Sequence, residues 1–220
     1  RIKTKTIIVA TGARWRELNV PGEKENLGNG VAYCPHCDGP FFKDKDVAVV
    51  GGGNSGIEAA LDLSGIVSKV TVLEFMSDLK ADNILVDKAK AKDNITIIKH
   101  AQVEQINSAN GKVNGLDYID RDTSKKMTIN LDGIFVQIGL VPNSQFLNNV
   151  VNLNSHGEII VNENGETSEK GIFACGDVTT VPYKQIIISM GEGAKTALSV
   201  ADYLMKTEDY DIKIDAAKSA

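Results

Sequence analysis

Short runs of consecutive apolar residues alternate with amphipathic segments through the first half of the chain. An apolar strand at 47–50 leads into a helix at 54–64 and a second strand at 69–74, and a helix at 81–92 and a strand at 94–99 follow. Strands joined by helices pair in parallel within one sheet. The pattern therefore predicts an α/β fold with helices packed on a parallel sheet.

The pattern changes between residues 102 and 138. Short β-type runs at 103–106, 113–119 and 127–131 are separated by Asn110-Gly111 and by a polar stretch. This spacing predicts a hairpin or meander inserted in the α/β unit. An apolar strand at 134–138 then runs into a turn at 139–142.

Two further apolar strands lie near the ends of the chain, at 6–10 and 171–175, and one short strand is predicted at 158–161. The last helix is predicted at 186–206, and the charged tail from Thr207 is expected to fray. Because the first strand has no preceding turn or cap, the chain is expected to be part of a longer protein. The polar, Gly-rich segment 23–33 is interpreted as a crossing between domains.

Composition narrows the class of protein. The 220 residues are 42% hydrophobic and 24% charged, with a formal net charge of −5 and both signs interspersed. Such a chain is typical of a globular protein and gives no footprint for nucleic acid or an anionic membrane. No apolar run predicts a membrane span or a signal peptide, so a cytoplasmic location is expected.

The loop between the strand at 47–50 and the helix at 54–64 predicts a dinucleotide site. Gly51 allows the tight turn, Gly53 admits a pyrophosphate close to the main chain, and Gly56 lets the helix pack against the strand. Asn54 and Ser55 open the helix, whose first N–H groups and dipole favour phosphate. The alternative is a Gly-rich turn in an unrelated α/β protein.

Glu74 predicts which nicotinamide coenzyme is used. It lies 23 residues after Gly51, at the end of the second strand, where a carboxylate accepts hydrogen bonds from the adenosine ribose. A 2′-phosphate would meet a like charge there, and neighbouring Leu73, Phe75 and Met76 offer no arginine. NAD(H) is the expected coenzyme, and the alternative is a solvated surface glutamate.

Cys34 and Cys37 predict a redox-active disulfide. The two-residue spacing allows a small disulfide ring that exchanges readily with other thiols. His36, when protonated, would stabilise a nearby thiolate, and Asp38 could donate a proton to a leaving thiolate. A zinc site is the alternative, but it needs four ligands, and the remaining candidates have no ligand spacing: Cys175, His100 and His156. No metal is predicted, and Cys175 is expected to be a small buried residue.

Several polar or glycine residues follow directly after apolar strands, where α/β proteins bind ligands. These are Thr11-Gly12, Gly139 with its turn, and Gly176-Asp177. Asp177 could accept a hydrogen bond from a polyol hydroxyl. Backbone N–H groups of Gln185, Gly191 and Gly193 are expected near a cofactor ring.

The order of these motifs resembles thioredoxin reductase-like flavoproteins over nearly the whole chain. The motifs are Val9-Ala10-Thr11-Gly12, Cys34–Asp38, Gly51–Gly56, Gly139–Pro142 and Gly171–Asp177. Within that family, two runs resemble the flavoprotein subunits of bacterial alkyl hydroperoxide reductase: Cys34-Pro35-His36-Cys37-Asp38-Gly39-Pro40 and Val181-Pro182-Tyr183-Lys184-Gln185.

The resemblance implies FAD and NAD(H) as cofactors. Asp177 would bind the FAD ribitol, Cys37 would face the flavin, Cys34 would exchange disulfides outward, and Asp38 would be the acid. The other residues that it places at the cofactors are Thr11, Gly12, Gly139, Gly176, Lys184 and Gln185. The implied partner is a peroxiredoxin subunit, reached through an N-terminal thioredoxin-like domain that this chain lacks, and the full-length protein would be a homodimer.

The predicted fold is a flavoprotein with two Rossmann-like dinucleotide-binding domains of three-layer ββα type, without the first flavin-domain segment. Residues 25–140 would form the NAD domain with the cysteine pair, and residues 1–17 with 141–220 a discontinuous, partial FAD domain. Two alternatives remain: a low-molecular-weight thioredoxin reductase, and a non-catalytic fragment that only holds NAD.

Overall fold

A computed structural model of the chain describes residues 2–207. These divide into two compact units, one formed by residues 15–139 and the other by 2–14 with 140–207. The sequence predicted a discontinuous division close to these positions, with the first segment ending at 17 rather than 14. The predicted fraying tail after Thr207 lies outside the described residues.

The helices and strands follow in chain order. The strands are β1 (Ile7–Val9), β2 (Ala13–Trp15), β3 (Val31–Ala32), β4 (Asp46–Val50), β5 (Lys69–Leu73), β6 (Ile95–Ile98), β7 (Ala101–Ala109), β8 (Lys112–Asp120), β9 (Lys125–Asn130), β10 (Gly133–Val136), β11 (Leu140–Pro142) and β12 (Ile172–Ala174). The α-helices are α1 (Pro35–Asp38), α2 (Asn54–Ser64), α3 (Asn83–Lys90) and α4 (Ile186–Lys206). Single 3₁₀ turns occupy Gly39–Phe42, Gln145–Leu147 and Gly176–Val178.

The contiguous unit is built on a five-stranded parallel sheet with the strand order β3-β10-β4-β5-β6. Its central strands β4 and β5 are buried at four of five positions, as parallel strands covered on both faces must be. The carboxyl ends of β4, β5 and β10 therefore meet at one edge, which is where ligands bind in such sheets.

Two different layers cover the faces of this sheet. Helices α2 and α3 pack on one face through a core that includes Val49, Ile57, Leu63 and Val72. The antiparallel meander β7-β8-β9 covers the other face, with a core that includes Leu116. This arrangement confirms the predicted three-layer ββα fold, and α2 begins and ends where the sequence predicted.

The second unit has a smaller core and a parallel strand pair. Strands β1 and β12 align Ile7 with Ile172 and Val9 with Ala174. Ile159 and Val178, both fully buried, lie in the core of this unit. Helix α4 spans the residues that the sequence predicted, and Cys175 is a free, buried cysteine as expected.

Three sequence predictions about local structure are wrong. The segment 23–33 is not a crossing between units, because Glu23 and Asn26 are buried within the contiguous unit and β3 joins its sheet. The predicted strand at 158–161 is reduced to isolated bridges of Ile159 with Leu153 and Thr179. The predicted turn at 139–142 contains strand β11.

Candidate functional site

The Gly-rich loop between β4 and α2 is packed so closely that two of its positions leave no space for a side chain. Gly51 has a φ of +123°, in the region that favours glycine, and a Cβ there would lie 2.3 Å from the carbonyl oxygen of Gln137. A Cβ on Gly56 would lie 1.9 Å from the carbonyl oxygen of Gly51. The loop closes only because both positions are glycine, as the motif predicted.

The loop leaves open space where a phosphate would approach the helix. A Cβ built on Gly53 meets nothing within 4 Å, and Gly53 is the residue that caps α2. The first turn of α2 carries no acidic residue, so its N–H groups and positive dipole are not neutralised by a carboxylate of that turn. These features fit the pyrophosphate of a dinucleotide.

Glu74 contacts the loop directly. Its carboxylate accepts hydrogen bonds from the backbone N–H of Gly52 at 2.6 Å and from that of Met76 at 2.8 Å. A Cβ on Gly52 would lie 2.6 Å from a Leu79 methyl group and 2.7 Å from Glu74 Oε2, so a larger residue here would displace both side chains. The role of Gly52 was not predicted, since the motif treats its position as variable.

Asn54 and Ser55 occupy the first turn of α2 and are both exposed. The Asn54 side chain accepts from the N–H of Asp82 at 2.8 Å and donates to its carboxylate at 3.1 Å. Asp82 caps α3, so Asn54 ties together the starts of the two helices. Its side chain has a structural role, and its backbone remains at the phosphate-facing turn.

A cavity of about 520 Å³ opens at the carboxyl ends of the strands. Gly51, Leu73 and Glu74 line it together with Val50, Ala101 and Ile138. It is mainly apolar with carboxylates at its border, which suits a heterocyclic base attached to a ribose.

The sequence neighbours of Glu74 include no arginine, but the fold brings a distant arginine against Phe75. Arg121, from the turn between β8 and β9, stacks its guanidinium on the ring of Phe75, 3.8 Å from the ring centroid. Arg121 follows Phe75 by 46 positions in the sequence, so only the fold reveals this contact.

Cys34 and Cys37 are joined by a disulfide, with Cα atoms 5.3 Å apart. Cys34 caps the single-turn helix α1, and its sulfur accepts from the Cys37 N–H at 3.2 Å. Cys37 is exposed and Cys34 is half-buried. The predicted pairing is confirmed, and both sulfurs belong to the unit that holds the Gly-rich loop.

His36 and Asp38, the neighbours predicted to assist the disulfide, have different surroundings. His36 is exposed, and its Nδ1 lies 3.6 Å from the Asp62 carboxylate on α2. Asp38 lines a cavity of about 390 Å³ together with Cys34 and Tyr33. Asp38 thus borders the same space as Cys34, whereas His36 faces the carboxylate of Asp62.

A buried network fixes the strand that leads to Cys34. Glu23 accepts hydrogen bonds from the Tyr33 hydroxyl at 3.0 Å and from the backbone N–H groups of Leu18 and Asn19. Burial, and then the Glu23 carboxylate, raise the pKa of Tyr33. The ring of Trp15 stacks on Tyr33 at 5.9 Å between ring centroids. No local pattern predicted this network, because Glu23 lies in a polar segment that is typical of a loop.

The strand-end residues of the second unit form their own cluster around Asn143. Its backbone N–H donates to the Gly12 carbonyl at 2.9 Å, and its side chain donates to the Thr11 carbonyl at 2.9 Å. The Thr11 hydroxyl donates to the Asn143 carbonyl, and Arg14 donates to the Asn143 side chain. Asn143 was not predicted, because nothing at the sequence level links it to a strand 132 positions earlier.

Gly176 and Asp177 form the turn after β12. Gly176 has a φ of +73°, and the Asp177 carboxylate accepts from the Ser189 hydroxyl at 2.9 Å. Asp177 is half-buried.

Lys184 and Gln185 precede α4. The Lys184 ammonium donates to the carbonyls of Thr179 and Val181 and pairs with Glu158 at 2.9 Å, so these contacts use its three N–H donors within the unit. Gln185 caps the helix.

The expectation for Gly191 and Gly193 is wrong. Both lie inside α4, beyond its first four residues, where backbone N–H groups are used by the helix itself. Gly139, in contrast, has a φ of +106° and accepts a hydrogen bond from Arg16 N–H at 2.9 Å.

Residues 2–207 contain neither a metal cluster nor a membrane span. No group of three or more potential ligand side chains in this range is placed to hold a metal ion. No helix among these residues has the length and apolar character needed to cross a membrane.

Comparison with known proteins identifies the family. Residues 1–214 match the sequence model of the family described as pyridine nucleotide-disulphide oxidoreductase. The chain belongs to this family, and the predicted cofactors FAD and NAD(H) agree with it.

Individual relatives narrow the similarity. The chain is 57% identical over 206 residues to the alkyl hydroperoxide reductase F subunit of Pseudomonas putida, and 56% identical over 205 residues to NADH dehydrogenase of Bacillus subtilis strain 168. These alignments cover 94% and 93% of this chain and 40% of each relative, so the chain spans about two fifths of their length. A crystal structure of thioredoxin reductase from Streptococcus pyogenes matches with a TM-score of 0.86 at 37% identity, covering 92% of this chain and 66% of that one.

Proposed function

We propose that the chain is the electron-transferring part of an NADH-dependent flavoprotein that reduces a disulfide and passes the electrons to a peroxiredoxin. One observation carries the proposal: a Cys34–Cys37 disulfide and a dinucleotide-binding loop occupy the same folded unit of a pyridine nucleotide-disulphide oxidoreductase. FAD, when bound, takes a hydride from NADH and delivers an electron pair to the disulfide.

The Gly-rich loop would hold the coenzyme. The N–H groups at the start of α2 would bind the pyrophosphate, with Gly53 leaving room for it. Glu74 would accept from the ribose hydroxyls, and its carboxylate is already oriented by the N–H groups of Gly52 and Met76. A negative charge fixed there disfavours a 2′-phosphate, so we expect NADH rather than NADPH. The name of the Bacillus subtilis relative, NADH dehydrogenase, agrees with this preference.

The second unit would hold part of FAD. Asp177 would bind the ribitol, because it follows β12 at the strand ends and retains a carboxylate oxygen beyond the one that meets Ser189. Thr11, Gly12 and Gly176 lie after the paired strands β1 and β12 and would contact the same group. The ammonium of Lys184 holds the loop before α4, so its contribution would be to shape that loop.

Reduction opens the Cys34–Cys37 bond and leaves two thiols after uptake of two electrons and two protons. Cys37 would receive the electrons from the flavin, and Cys34 would react outward with the next disulfide. Asp38, which shares a cavity with Cys34, would supply a proton to the departing thiolate.

The peroxiredoxin partner distinguishes this proposal from its nearest rival. The Pseudomonas putida relative named as the F subunit of alkyl hydroperoxide reductase has a higher sequence identity to this chain, 57%, than the Streptococcus pyogenes thioredoxin reductase, 37%. In the full-length protein, a homodimer, an N-terminal thioredoxin-like domain would carry electrons from Cys34 to the peroxiredoxin. The rivals are a low-molecular-weight thioredoxin reductase and a fragment that only binds NAD.

A reduction assay tests the proposal. The purified chain is supplied with FAD, its flavin absorbance is read at about 450 nm, and NADH is added without oxygen. Alkylation followed by mass measurement then counts free thiols. We expect flavin bleaching and two new thiols at Cys34 and Cys37. Bound flavin that NADH cannot bleach, or bleaching that leaves the disulfide intact, would refute the electron route.

The acceptor is tested separately in the flavin-containing full-length protein. A peroxiredoxin and a thioredoxin are offered in turn, and NADH consumption is followed. We expect turnover with the peroxiredoxin, whereas turnover with thioredoxin alone would favour the thioredoxin reductase alternative.

A further inference from the structure

We infer that Arg121 and Phe75 together form the wall of the coenzyme site against which the adenine ring of NADH stacks. The inference rests on the proposed function, because it concerns the same NADH site. It adds a residue from the β-meander to a site that the sequence assigns wholly to the β4–α2–β5 unit.

The first support is position. Phe75 follows Glu74 directly and lines the cavity of about 520 Å³ that also borders Gly51 and Glu74. If Glu74 holds the adenosine ribose, the adenine attached to that ribose can reach Phe75, which is the next residue and lines the same cavity. The Phe75 side chain is 47% exposed, so part of it remains available for contact.

The second support is the way in which Arg121 is held. Its guanidinium lies 3.8 Å from the Phe75 ring centroid, and its Nη1 donates to the Phe75 carbonyl at 2.7 Å. Its backbone N–H donates to the carbonyl of His100 at 2.8 Å. An exposed arginine is ordinarily free to sample many rotamers, whereas this one is held over an aromatic ring by its own hydrogen bond to the Phe75 carbonyl.

The turn that carries Arg121 is itself anchored. Asp120 accepts from the backbone N–H groups of Thr123 and Asp122, and these bonds lower the pKa of Asp120. His100 Nδ1 lies 3.0 Å from the Asp122 carboxylate. The turn is thus attached to the segment after β6, which leads into the cavity at Ala101.

The third support is chemistry. Adenine is a flat, electron-rich ring system, and it stacks well on aromatic rings and guanidinium planes. The cavity is bordered by the carboxylates of Glu17 and Glu74, and NADH brings two further negative charges on its pyrophosphate. The Arg121 guanidinium, held over the ring of Phe75 that lines this cavity, adds positive charge next to it.

Binding measurements test the inference. Arg121→Ala is compared with Lys112→Ala, which removes the same charge from an exposed position at the opposite end of β8. Four probes are titrated: NADH, NADPH, ADP-ribose, which carries the adenosine half, and reduced nicotinamide mononucleotide, which lacks adenosine. Dissociation constants come from fluorescence and calorimetry.

We expect Arg121→Ala to weaken NADH and ADP-ribose about 3- to 10-fold, to leave the mononucleotide unchanged, and to differ clearly from Lys112→Ala. Phe75→Leu keeps the apolar bulk but removes the aromatic face, so it should show the same pattern even if Arg121→Ala does not fold.

Three results would overturn the inference. If both variants bind ADP-ribose as the wild type does, adenine does not stack there. If Arg121→Ala weakens only NADPH, then Arg121 reads a 2′-phosphate instead. If the wild type binds neither NADH nor ADP-ribose, the proposed function itself fails, and that outcome differs from the other two.

Discussion

At the scale of single residues, Glu74 holds the Gly-rich loop, and the same carboxylate is the one that we propose reads the coenzyme. One carboxylate oxygen holds the N–H of Gly52 in the Gly-rich loop, and the other holds the N–H of Met76. Since both bonds fix the carboxylate in place, the ribose hydroxyls of a coenzyme bound as proposed would meet a preorganised acceptor.

Replacing Glu74 by arginine should change the preference between coenzymes. Loss of a charge-assisted hydrogen bond costs roughly 1.5–3 kcal/mol, or about 10- to 150-fold in NADH affinity. An arginine would attract the 2′-phosphate, so the NADH to NADPH ratio of kcat/KM should narrow or invert. Steady-state kinetics of the flavin-containing protein with both coenzymes measure it.

Glu74→Gln is the matched control, because it keeps the size of the side chain and removes only the charge. An unchanged ratio in Glu74→Arg, within a factor of about two, would show that Glu74 does not read the ribose.

Adding one methyl group at Gly56 should disrupt the loop. The new Cβ would lie 1.9 Å from the carbonyl oxygen of Gly51, so α2 would have to move away from β4. Overpacking of this kind costs on the order of 1–3 kcal/mol. We expect Gly56→Ala to lower the thermal midpoint and to weaken ADP-ribose binding.

Gly111→Ala serves as the comparison, because its Cβ meets nothing within 4 Å in an exposed hairpin turn. Because the φ of Gly111 is +74°, alanine there still lowers the stability of the protein. Gly111→Ala therefore controls for a general loss of stability, and only Gly56→Ala should lower the affinity for ADP-ribose. Equal affinity losses in both variants would contradict the role of close helix packing.

Residues with local signals were predictable, and residues with distant partners were not. The roles of Gly51 and Gly56 follow from the spacing of a short motif. Arg121 and Asn143 act through contacts that span 46 and 132 positions, which no local pattern reveals. The role of Glu23 was missed for a related reason, since burial of a carboxylate depends on donors from other segments.

At the scale of elements, the β-meander is held by one carboxylate that joins its three strands. Asp117 on β8 accepts from Asn107 on β7 at 3.0 Å and from Thr128 on β9 at 2.8 Å, and it pairs with Lys126 at 3.0 Å. The hydrogen bonds from Lys126, Thr128 and Asn107 lower the pKa of Asp117.

Asp117→Asn should therefore destabilise the meander in a pH-dependent way. Because the folded pKa is lowered, the stabilisation is fully present above the ordinary value of 3.8 and is lost as pH falls through the folded value. We expect a loss of about 1–2 kcal/mol at neutral pH and a smaller difference in strong acid.

Urea unfolding at neutral and acid pH measures this loss of stability. The control is Asp87→Asn on α3, which removes the same charge from an exposed position. A loss that stays constant as the pH is lowered would show that the carboxylate charge is not the cause.

Long elements with clear periodicity were predicted well, and short ones were not. Helices α2 and α4 begin and end as predicted, because apolar positions recur along them over several turns. Strand β3 has two residues and helix α1 has four, which is too short for any period to be seen. Both are formed by their surroundings: β3 by pairing with β10, and α1 by the disulfide and the Cys34 cap.

At the scale of the whole molecule, the proposed electron route has two separable halves. Hydride transfer from NADH ends at the flavin and needs no thiol, whereas the second half needs both Cys34 and Cys37. Cys34→Ser and Cys37→Ser should each abolish disulfide reduction and leave NADH-dependent flavin bleaching intact in the flavin-containing protein.

Rapid mixing with NADH measures the bleaching, and Cys175→Ser is the control because that thiol is buried and lies outside the disulfide. Burial raises the pKa of Cys175, which keeps its thiol protonated and unreactive. Loss of bleaching in a Cys34 or Cys37 variant that still binds FAD would refute the order of the two steps.

The first and last residues of the contiguous unit lie close together. The N–H of Arg16, one residue after its start, donates to the carbonyl of Gly139, its last residue, at 2.9 Å. A segment whose ends meet can be cut from one gene and spliced into a surface loop of another without tearing its sheet. The coenzyme-binding loop and the cysteine pair would then be transferred together. A single recombination event could give an unrelated protein both coenzyme binding and a redox-active disulfide.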